Sequence, residues 1–316
     1  MQKEFPQIFI LILNWKNKED TIKCVTSVKK INYPAFSTVL IDNGSEDGSV
    51  ETFQELFPEI TLLRNDKNLG YAEGNNVGIK YAIGKGADFI LILNNDALVD
   101  PNILHAFVEA SKDNPDGGIF GAKVLNQNNE MYHFGGMWDA RKCEFKTILC
   151  AQKYKQVDYV CGCSFFIRRK VVETIGYFEP KFFLLWEESD YCFRAKQHFF
   201  LTYSVQDAII SHKISASFDG GKPQMHYFWW RNRLFWISRN ASKKEKMAAY
   251  KKVLLPEIFK IYKLRYLKSL ELFLFKRFLP KDKVEKKSMK LKRYKAGCLG
   301  IRDYYLNRFG NTYKKV

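Results

Sequence analysis

Nothing in these 316 residues approaches the unbroken run of about 18 apolar residues that a bilayer-spanning helix needs. No basic segment followed by a short apolar stretch opens the chain, so secretion is not expected. Cysteine is sparse: Cys24, Cys143, Cys150, Cys161, Cys163, Cys192 and Cys298 are odd in number and include no CxxC pair. That argues against a disulfide framework and a structural zinc site, and for a reducing cytoplasm. Acidic residues run short in one place only. Residues 1–239 carry 28 Lys and Arg against 28 Asp and Glu, whereas residues 240–316 carry 23 against 6, so the net charge of +17 belongs to the last quarter. A neutral body with a basic tail departs from the spread charge of a nucleic-acid binder, and no nucleic-acid partner is expected. Two readings fit the tail: a tether to an anionic surface, and a solvated helical appendage.

What is present is 46% hydrophobic residues, enough for a full α/β core plus an extension. Short apolar runs alternate with helix-forming stretches: Ile8 to Leu13, Asn17 to Ile31, Thr38 to Ile41, Val50 to Phe57, Thr61 to Leu63, Ala72 to Ile83 and Phe89 to Leu93. This rhythm predicts βαβ units and a doubly wound, mainly parallel sheet. A helix from Pro101 to about Ser111 and a strand from Ile119 to Val124 follow. Residues 126–157 show no period and are expected to be irregular. Beyond them come a strand over Val160 to Ile167, helices over Lys170 to Ile175 and Glu187 to Gln197, and closing strands over Phe200 to Val205 and Ala208 to Ser211. The division expected is a catalytic domain over 1–240, with halves of about 1–100 and 101–240, and a basic helical extension over 241–316.

Several apolar runs end abruptly in polar groups. FILILNNDALVDP ends in Asn94, Asn95 and Asp96, at the end of a strand where ligands bind in parallel sheets. Asp96 suits a divalent cation that also holds phosphate; equally, the three residues suit a turn and a cap for the helix that Pro101 starts. Asp42 ends LIDNGSEDGS, where an acid suits a base or ribose, and the turn it precedes needs only Ser45 to Gly48. NLGYAEGNNVG, from Asn68, sets glycines and amides where a loop enters a helix, so its backbone N–H groups suit a phosphate or sugar. Its spacing differs from the dinucleotide fingerprint. FFLLWEESDYCFR places Glu187, Glu188 and Asp190 after aromatic residues. On a helix Glu187 and Asp190 share a face and Glu188 points elsewhere. A carboxylate in that setting suits a general base; acids at a helix N-terminus are the plainer account of two of the three. His212 ends an apolar strand before SASFDGGKP, and an imidazole there suits Mn²⁺ better than Mg²⁺; His133 and His226 stand in weaker settings.

These pieces, in this order over roughly residues 6–240, resemble the family 2 glycosyltransferases of the GT-A fold. The likeness is to the branch with rhamnosyltransferases and galactofuranosyltransferases of bacterial surface polysaccharides. ILNWKNKEDTIKC, which contains Asn14, resembles the family's first strand and donor loop. LIDNGSEDGS is similar to the motif whose acid, here Asp42 beside Asn43, meets the uridine or thymidine ring. NLGYAEGNNVGI, with Asn68, Gly70 and Asn75, resembles the Gly/Asn motif, and LNNDALVDP the DxD position. Asn94 departs from that pattern by standing where the first Asp would be, which leaves most of the metal contact to Asp96. LLWEESDYCFR resembles the segment whose second acid is the base, which singles out Glu188, and IISH resembles the one that brings a His, here His212, to the metal. HYFWWRNRLFW resembles the aromatic-RN segment, whose Arg231 and Arg233 reach either diphosphate or core acids.

The resemblance implies an inverting transfer from a UDP- or dTDP-sugar to a lipid-linked or glycan acceptor, assisted by Mn²⁺ or Mg²⁺. It also implies a peripheral place at the inner face of the cell membrane and allows a homo-oligomer. The tail fits that place: Phe259, Tyr262, Tyr266, Leu270 and Phe273 recur at helical spacing among lysines, a pattern that suits either the headgroup layer of an anionic membrane or packing on protein. A nucleotidyltransferase of similar topology would need a glycine-rich loop after the first strand, and ILNWKNKED offers no glycine. A nucleic-acid-binding protein without catalysis would use the basic tail alone.

Overall fold

The computed structural model describes residues 5–149, 152–213 and 222–313; Cys150 and the SASFDGGKP segment up to Gly221 lie outside them. The chain forms two compact units, the first of residues 1–138, 145–183 and 187–214, the second of 139–144, 184–186 and 215–316.

The first unit opens with β1 (Ile8–Asn14), α1 (Lys18–Val28), β2 (Phe36–Asp42), α2 (Ser49–Leu56), β3 (Thr61–Arg64), α3 (Gly70–Gly84) and β4 (Phe89–Asn94). Then follow β5 (Ala97–Val99), α4 (Ile103–Asp113), β6 (Gly117–Leu125), β7 (Met131–His133), β8 (Gly136–Asp139), β9 (Glu144–Thr147) and β10 (Tyr154–Val157). It closes with β11 (Ser164–Arg168), α5 (Arg169–Ile175), α6 (Glu187–Gln197) and β12 (Leu201–His212). The main sheet has the order β3-β2-β1-β4-β11-β6-β12-β10, with β5 added to β12 and β7 to β6. The βαβ rhythm gives parallel pairing of β1 with β2 and β4, and of β2 with β3. β6 and β12 pair in the same sense, and β11 runs against both of its neighbours.

Alternation along each central strand explains why the sheet is covered on both faces. Ile8, Ile10 and Ile12 face α1 and α4 through Cys24, Val25, Val28, Ile103, Leu104 and Phe107. Phe9 and Leu11 face the other way, into a cluster with Ala72 and Ile79 of α3 and Tyr191 and Cys192 of α6. Each such buried aliphatic side chain contributes about 1.5–3 kcal/mol.

The expected elements are present, β5 (Ala97–Val99) is an added strand, and three expected segments differ. Residues 126–157 hold the short strands β7 to β10 rather than an irregular loop; strands of three or four residues are too short to show a period. The strand expected from Val160 begins only at Ser164, because Ser164 N–H donates to Cys161 O and closes a turn there. The two closing strands are one, β12, interrupted by a register shift between Val205 and Ile209.

The second unit contains α7 (Pro223–Asn240), α8 (Lys243–Ala249), α9 (Leu255–Phe275) and α10 (Lys281–Tyr305), with a π-helical turn at Tyr250–Leu254 between α8 and α9. α7, expected with the catalytic domain, groups instead with the extension. Its Tyr227 hydroxyl donates to Asp303 of α10, and Gly300 of α10 lies so near that a Cβ there would come within 2.3 Å of Tyr227 O.

Two glycines of α3 make opposite expectations. Gly70 has φ +81°, and a Cβ on it would lie 2.4 Å from Phe183 O, whereas the space around Gly84 is open. Gly70→Ala should destabilise by at least about 1–3 kcal/mol and Gly84→Ala should stabilise by roughly 0.4–1 kcal/mol, as measured by denaturant unfolding.

Candidate active site

Strand register gathers the polar ends. Asn14 pairs with Asp42, and Leu13 with Asn94, so β1, β2 and β4 stop together at the C-terminal edge of the sheet. There Asn14 Nδ2 donates to Asp42 Oδ1 (2.9 Å) and to Ser45 Oγ (3.0 Å). The Ser45 hydroxyl and backbone N–H donate to the two oxygens of Asp42 at 2.6 and 3.0 Å. Thr21 Oγ1 donates to Asn14 Oδ1 and accepts from Asn95 Nδ2. All but Asn95 are buried, so a satisfied network of amides, hydroxyls and one carboxylate shapes this end of the sheet.

The partner of Asp96 is set by a backbone return. After Asn94 the chain turns and β5 comes back along β12, with His212 opposite Ala97. Asp96 Oδ1 then lies 2.9 Å from His212 Nε2, and Asn94 Nδ2 lies 3.3 Å from the same nitrogen. The Tyr132 hydroxyl on β7 is 2.6 Å from His212 Nδ1. The ring is thus held from both sides, and Tyr132 fixes which nitrogen faces Asp96. Burial lowers the His212 pKa, but the hydrogen bond and charge of Asp96 raise it further, and the outcome is above the ordinary imidazole value.

The three carboxylates of α6 separate by environment. Glu187 and Asp190 are buried, and Asp190 pairs with Arg194 at 3.0 Å, as acids and bases spaced four apart on one helix do. Glu188 alone stays partly exposed. Its Oε1 accepts from Gly162 N–H at 3.3 Å, and the Tyr71 hydroxyl donates to Gly162 O at 2.6 Å. A Cβ on Gly162 would lie 2.6 Å from Glu188 Oε1 and 2.7 Å from the Tyr71 hydroxyl. Burial raises the Glu188 pKa against the lowering effect of its own and the Gly162 backbone N–H. Cys163 O, next to Gly162, accepts from Asn94 N–H, so one turn touches both the Glu188 carboxylate and the end of β4.

Several residues expected at a ligand are committed to the fold. Asn43 donates to Asn68 Oδ1 and Gly70 O and accepts from Asn65 Nδ2 and Leu69 N–H, which ties β2 to the start of α3. The N–H groups at that helix start do not await a phosphate: Gly70 donates to Asn68 Oδ1, and Tyr71 and Ala72 donate to Phe183 O. Asn75 donates to Tyr71 O, while its buried Oδ1 has no hydrogen-bond partner among the described residues. Arg231 belongs to the second unit, is fully buried, donates to Asn232 Oδ1 and Gly310 O, and stacks on Phe228. A guanidinium so enclosed does not fit the expected diphosphate contact. Arg233 binds the Lys142 and Cys143 carbonyls and Glu257.

Three contributors escaped the sequence reading: Tyr132, Tyr71 and Gly162; within the second unit, Asn232 was missed as well. Asn232 donates to the carbonyls of Leu184 and Leu185, in the stretch that leads into Glu187. Phe183, Leu185 and Trp186 there are all left-handed (φ +64°, +72° and +77°), a costly run for side chains with a Cβ. The amide in the RNR segment was the available signal for Asn232. Tyr132 lay in a stretch without period.

The family model described as glycosyl transferase family 2 matches residues 9–176. The low-salt glycan biosynthesis hexosyltransferase Agl10 of Haloferax volcanii is 24% identical over 204 residues, covering 62% of this chain and 64% of that one. The N-acetylglucosaminyl-diphospho-decaprenol L-rhamnosyltransferase of Mycobacterium tuberculosis is 23% identical over 249 residues, covering 65% of this chain and 80% of that one. So the chain spans under two thirds of the first relative's length. Among solved structures, the mannosyltransferase PcManGT of Pyrobaculum calidifontis, in complex with GDP-Man and Mn²⁺, superposes with a TM-score of 0.58 at 11% identity, over 96% of this chain and 88% of that one. The fold is GT-A, as expected.

The raised Glu188 pKa has a consequence for stability. Below the unfolded carboxyl pKa both states are protonated and the group is neutral to folding. As pH rises towards the folded value, the native state holds more protons than the unfolded one, and stability falls. Glu188→Gln should therefore raise Tm at pH 7 and change it little near pH 4; equal Tm shifts at both pH values would contradict the assigned burial.

Proposed function

The chain belongs to glycosyl transferase family 2, and on that premise we propose that it moves a sugar from a UDP- or dTDP-sugar to a hydroxyl of a lipid-linked or glycan acceptor, with inversion. The observation that carries this reading is the Cys161–Cys163 turn, which touches a partly open carboxylate of raised pKa on one side and the Asn94–Asp96 strand end on the other. A base for the acceptor and a holder for the donor diphosphate are then built on one support. The name of the mycobacterial relative, which acts on a diphospho-decaprenol, supports a lipid-linked acceptor.

Asp96 and His212 are the groups that would hold a divalent cation. The carboxylate and the imidazole, 2.9 Å apart, are donor types that would suit such a cation, and imidazole would favour Mn²⁺ over Mg²⁺. No third His, Cys, Asp or Glu joins them among the described residues. When bound, the cation offsets the charge that develops on the departing nucleoside diphosphate. Asp42, ordered by Asn14 and Ser45, faces the nucleoside, with one lone pair of Oδ2 still unclaimed by the contacts above. Glu188 takes the proton of the acceptor hydroxyl as that oxygen attacks the anomeric carbon. Gly162 N–H aims the carboxylate, and Tyr71 holds the Gly162 peptide.

Glu188→Gln should leave nucleotide-sugar affinity within about twofold and lower the transfer rate by roughly 10²–10⁴-fold. Near-normal turnover in a purified-enzyme assay would remove Glu188 as the base. In the wild type the acid limb of the rate profile should lie above the ordinary carboxylate range, since the base must be ionised and burial raises its pKa.

Tyr132→Phe should weaken Mn²⁺ affinity about 10–100-fold, because the ring loses the group that orients His212. Titration calorimetry in the presence of nucleoside diphosphate measures this, and an unchanged affinity would show that Asp96 and Asn94 orient the ring unaided.

A further inference from the structure

We propose that the second unit docks on an anionic lipid bilayer by inserting an aromatic ridge of α9, with the flanking lysines at the headgroup level. Helix α9 has two apolar sides, and among the described residues only one is covered. Ile261 is buried against α10, where a Cβ on Gly297 would lie 2.5 Å from Ile261 Cδ1, and the Tyr262 hydroxyl donates to Cys298 O. The side that packs on protein thus includes Ile261, which lay outside the expected stripe, and part of Tyr262, which lay inside it.

On the opposite side Phe259, Tyr266 and Phe273 stand at every seventh position and are 71%, 68% and 84% exposed. A seven-residue step returns to within about 20° on a helix, so the three rings form one line. Leu270 and Leu274 flank it, and it continues past the helix end into Phe278, 82% exposed. A bare row of this kind is far from the scattered apolar residues of an ordinary surface.

Charge identifies the occupant. Residues 255–295 carry 14 Lys and Arg against 4 Asp and Glu. Lys260 and Lys263 of α9, Lys276 and Arg277 after it, and Lys281, Lys283, Lys286 and Lys290 of α10 are all exposed or half-exposed. A second copy of the chain would bring the same excess of positive charge against itself. Anionic lipid supplies both complements, an acyl boundary for the rings and headgroup phosphate for the ammonium groups, which reach it on flexible stems. No described helix is long and apolar enough to cross a membrane, so α9, about 31 Å long, lies in the interface plane. The proposal concerns the second unit alone and stands apart from the catalytic reading.

The test uses the full-length chain with vesicles of phosphatidylcholine alone and of phosphatidylcholine mixed with phosphatidylglycerol. Sedimentation should bring the protein down with the mixed vesicles and leave it in solution with phosphatidylcholine. The combined variant F259S/Y266S/F273S, checked for an unchanged circular dichroism spectrum, should lose at least about tenfold in vesicle partitioning. A separate Phe273→Trp variant should gain an emission component, relative to the wild type, that is blue-shifted and quencher-protected on mixed vesicles only. This readout survives should the triple variant fail to fold. Equal partitioning of the folded triple variant, or emission from the introduced indole unmoved by vesicles, overturns the proposal. So does binding to single-stranded RNA in place of vesicles, or a dimer in solution that protects the same indole from quencher.

Discussion

One strand that runs against its neighbours sets the geometry of the candidate site. β11 lies between β4 and β6 and is antiparallel to both, so its beginning, not its end, meets the edge where β1, β2 and β4 stop. The lead-in Cys161–Gly162–Cys163 is thereby delivered to the ends of the parallel strands, with its peptide groups free to receive Tyr71, Glu188 and Asn94. A parallel strand in that slot would have put the same residues at the far side of the sheet, and the carboxylate of α6 would have had no backbone donor to aim it.

The amides at this edge teach a second point. A sheet that ends in buried Asn, Asp and Thr must satisfy each polar atom, and here most are satisfied by one another. Asn14, Thr21, Asn95, Ser45 and Asp42 form one network, and Asn43, Asn65 and Asn68 another. An amide at a strand end is therefore as often a brace for the ligand pocket as a wall of it. Asn75 differs, because its Oδ1 is buried without a partner among the described residues while its Nδ2 is bonded to its own helix.

Sequence alone conveyed the doubly wound half because its strands are short, unbroken runs of Ile, Leu, Val and Phe set between helical stretches, the pattern of a sheet covered on both faces. The ends of those strands announced Asp42 and Asp96 for the same reason. The pairing of His212 with Asp96 came from the resemblance and not from any local pattern, since it depends on β5 returning along β12. Tyr132 was silent because it acts through a single hydroxyl, and Gly162 because it acts through its own peptide N–H and C=O, whose partners lie far off in sequence. For Arg231 the resemblance left open a diphosphate contact or pairing in the core, and its enclosure by rings with hydrogen bonds to Asn232 Oδ1 and Gly310 O fits the second. The tail's stripe was visible by period, but period cannot tell a face that packs on α10 from one that packs on nothing.

The left-handed run at Phe183, Leu185 and Trp186 stores conformational energy on the order of 1–3 kcal/mol per residue, held in place by hydrogen bonds to its carbonyls. Such a segment returns that energy whenever its contacts part, so its opening free energy lies below that of the sheet. Its backbone amides would trade hydrogen for solvent deuterium by local excursions rather than by global unfolding.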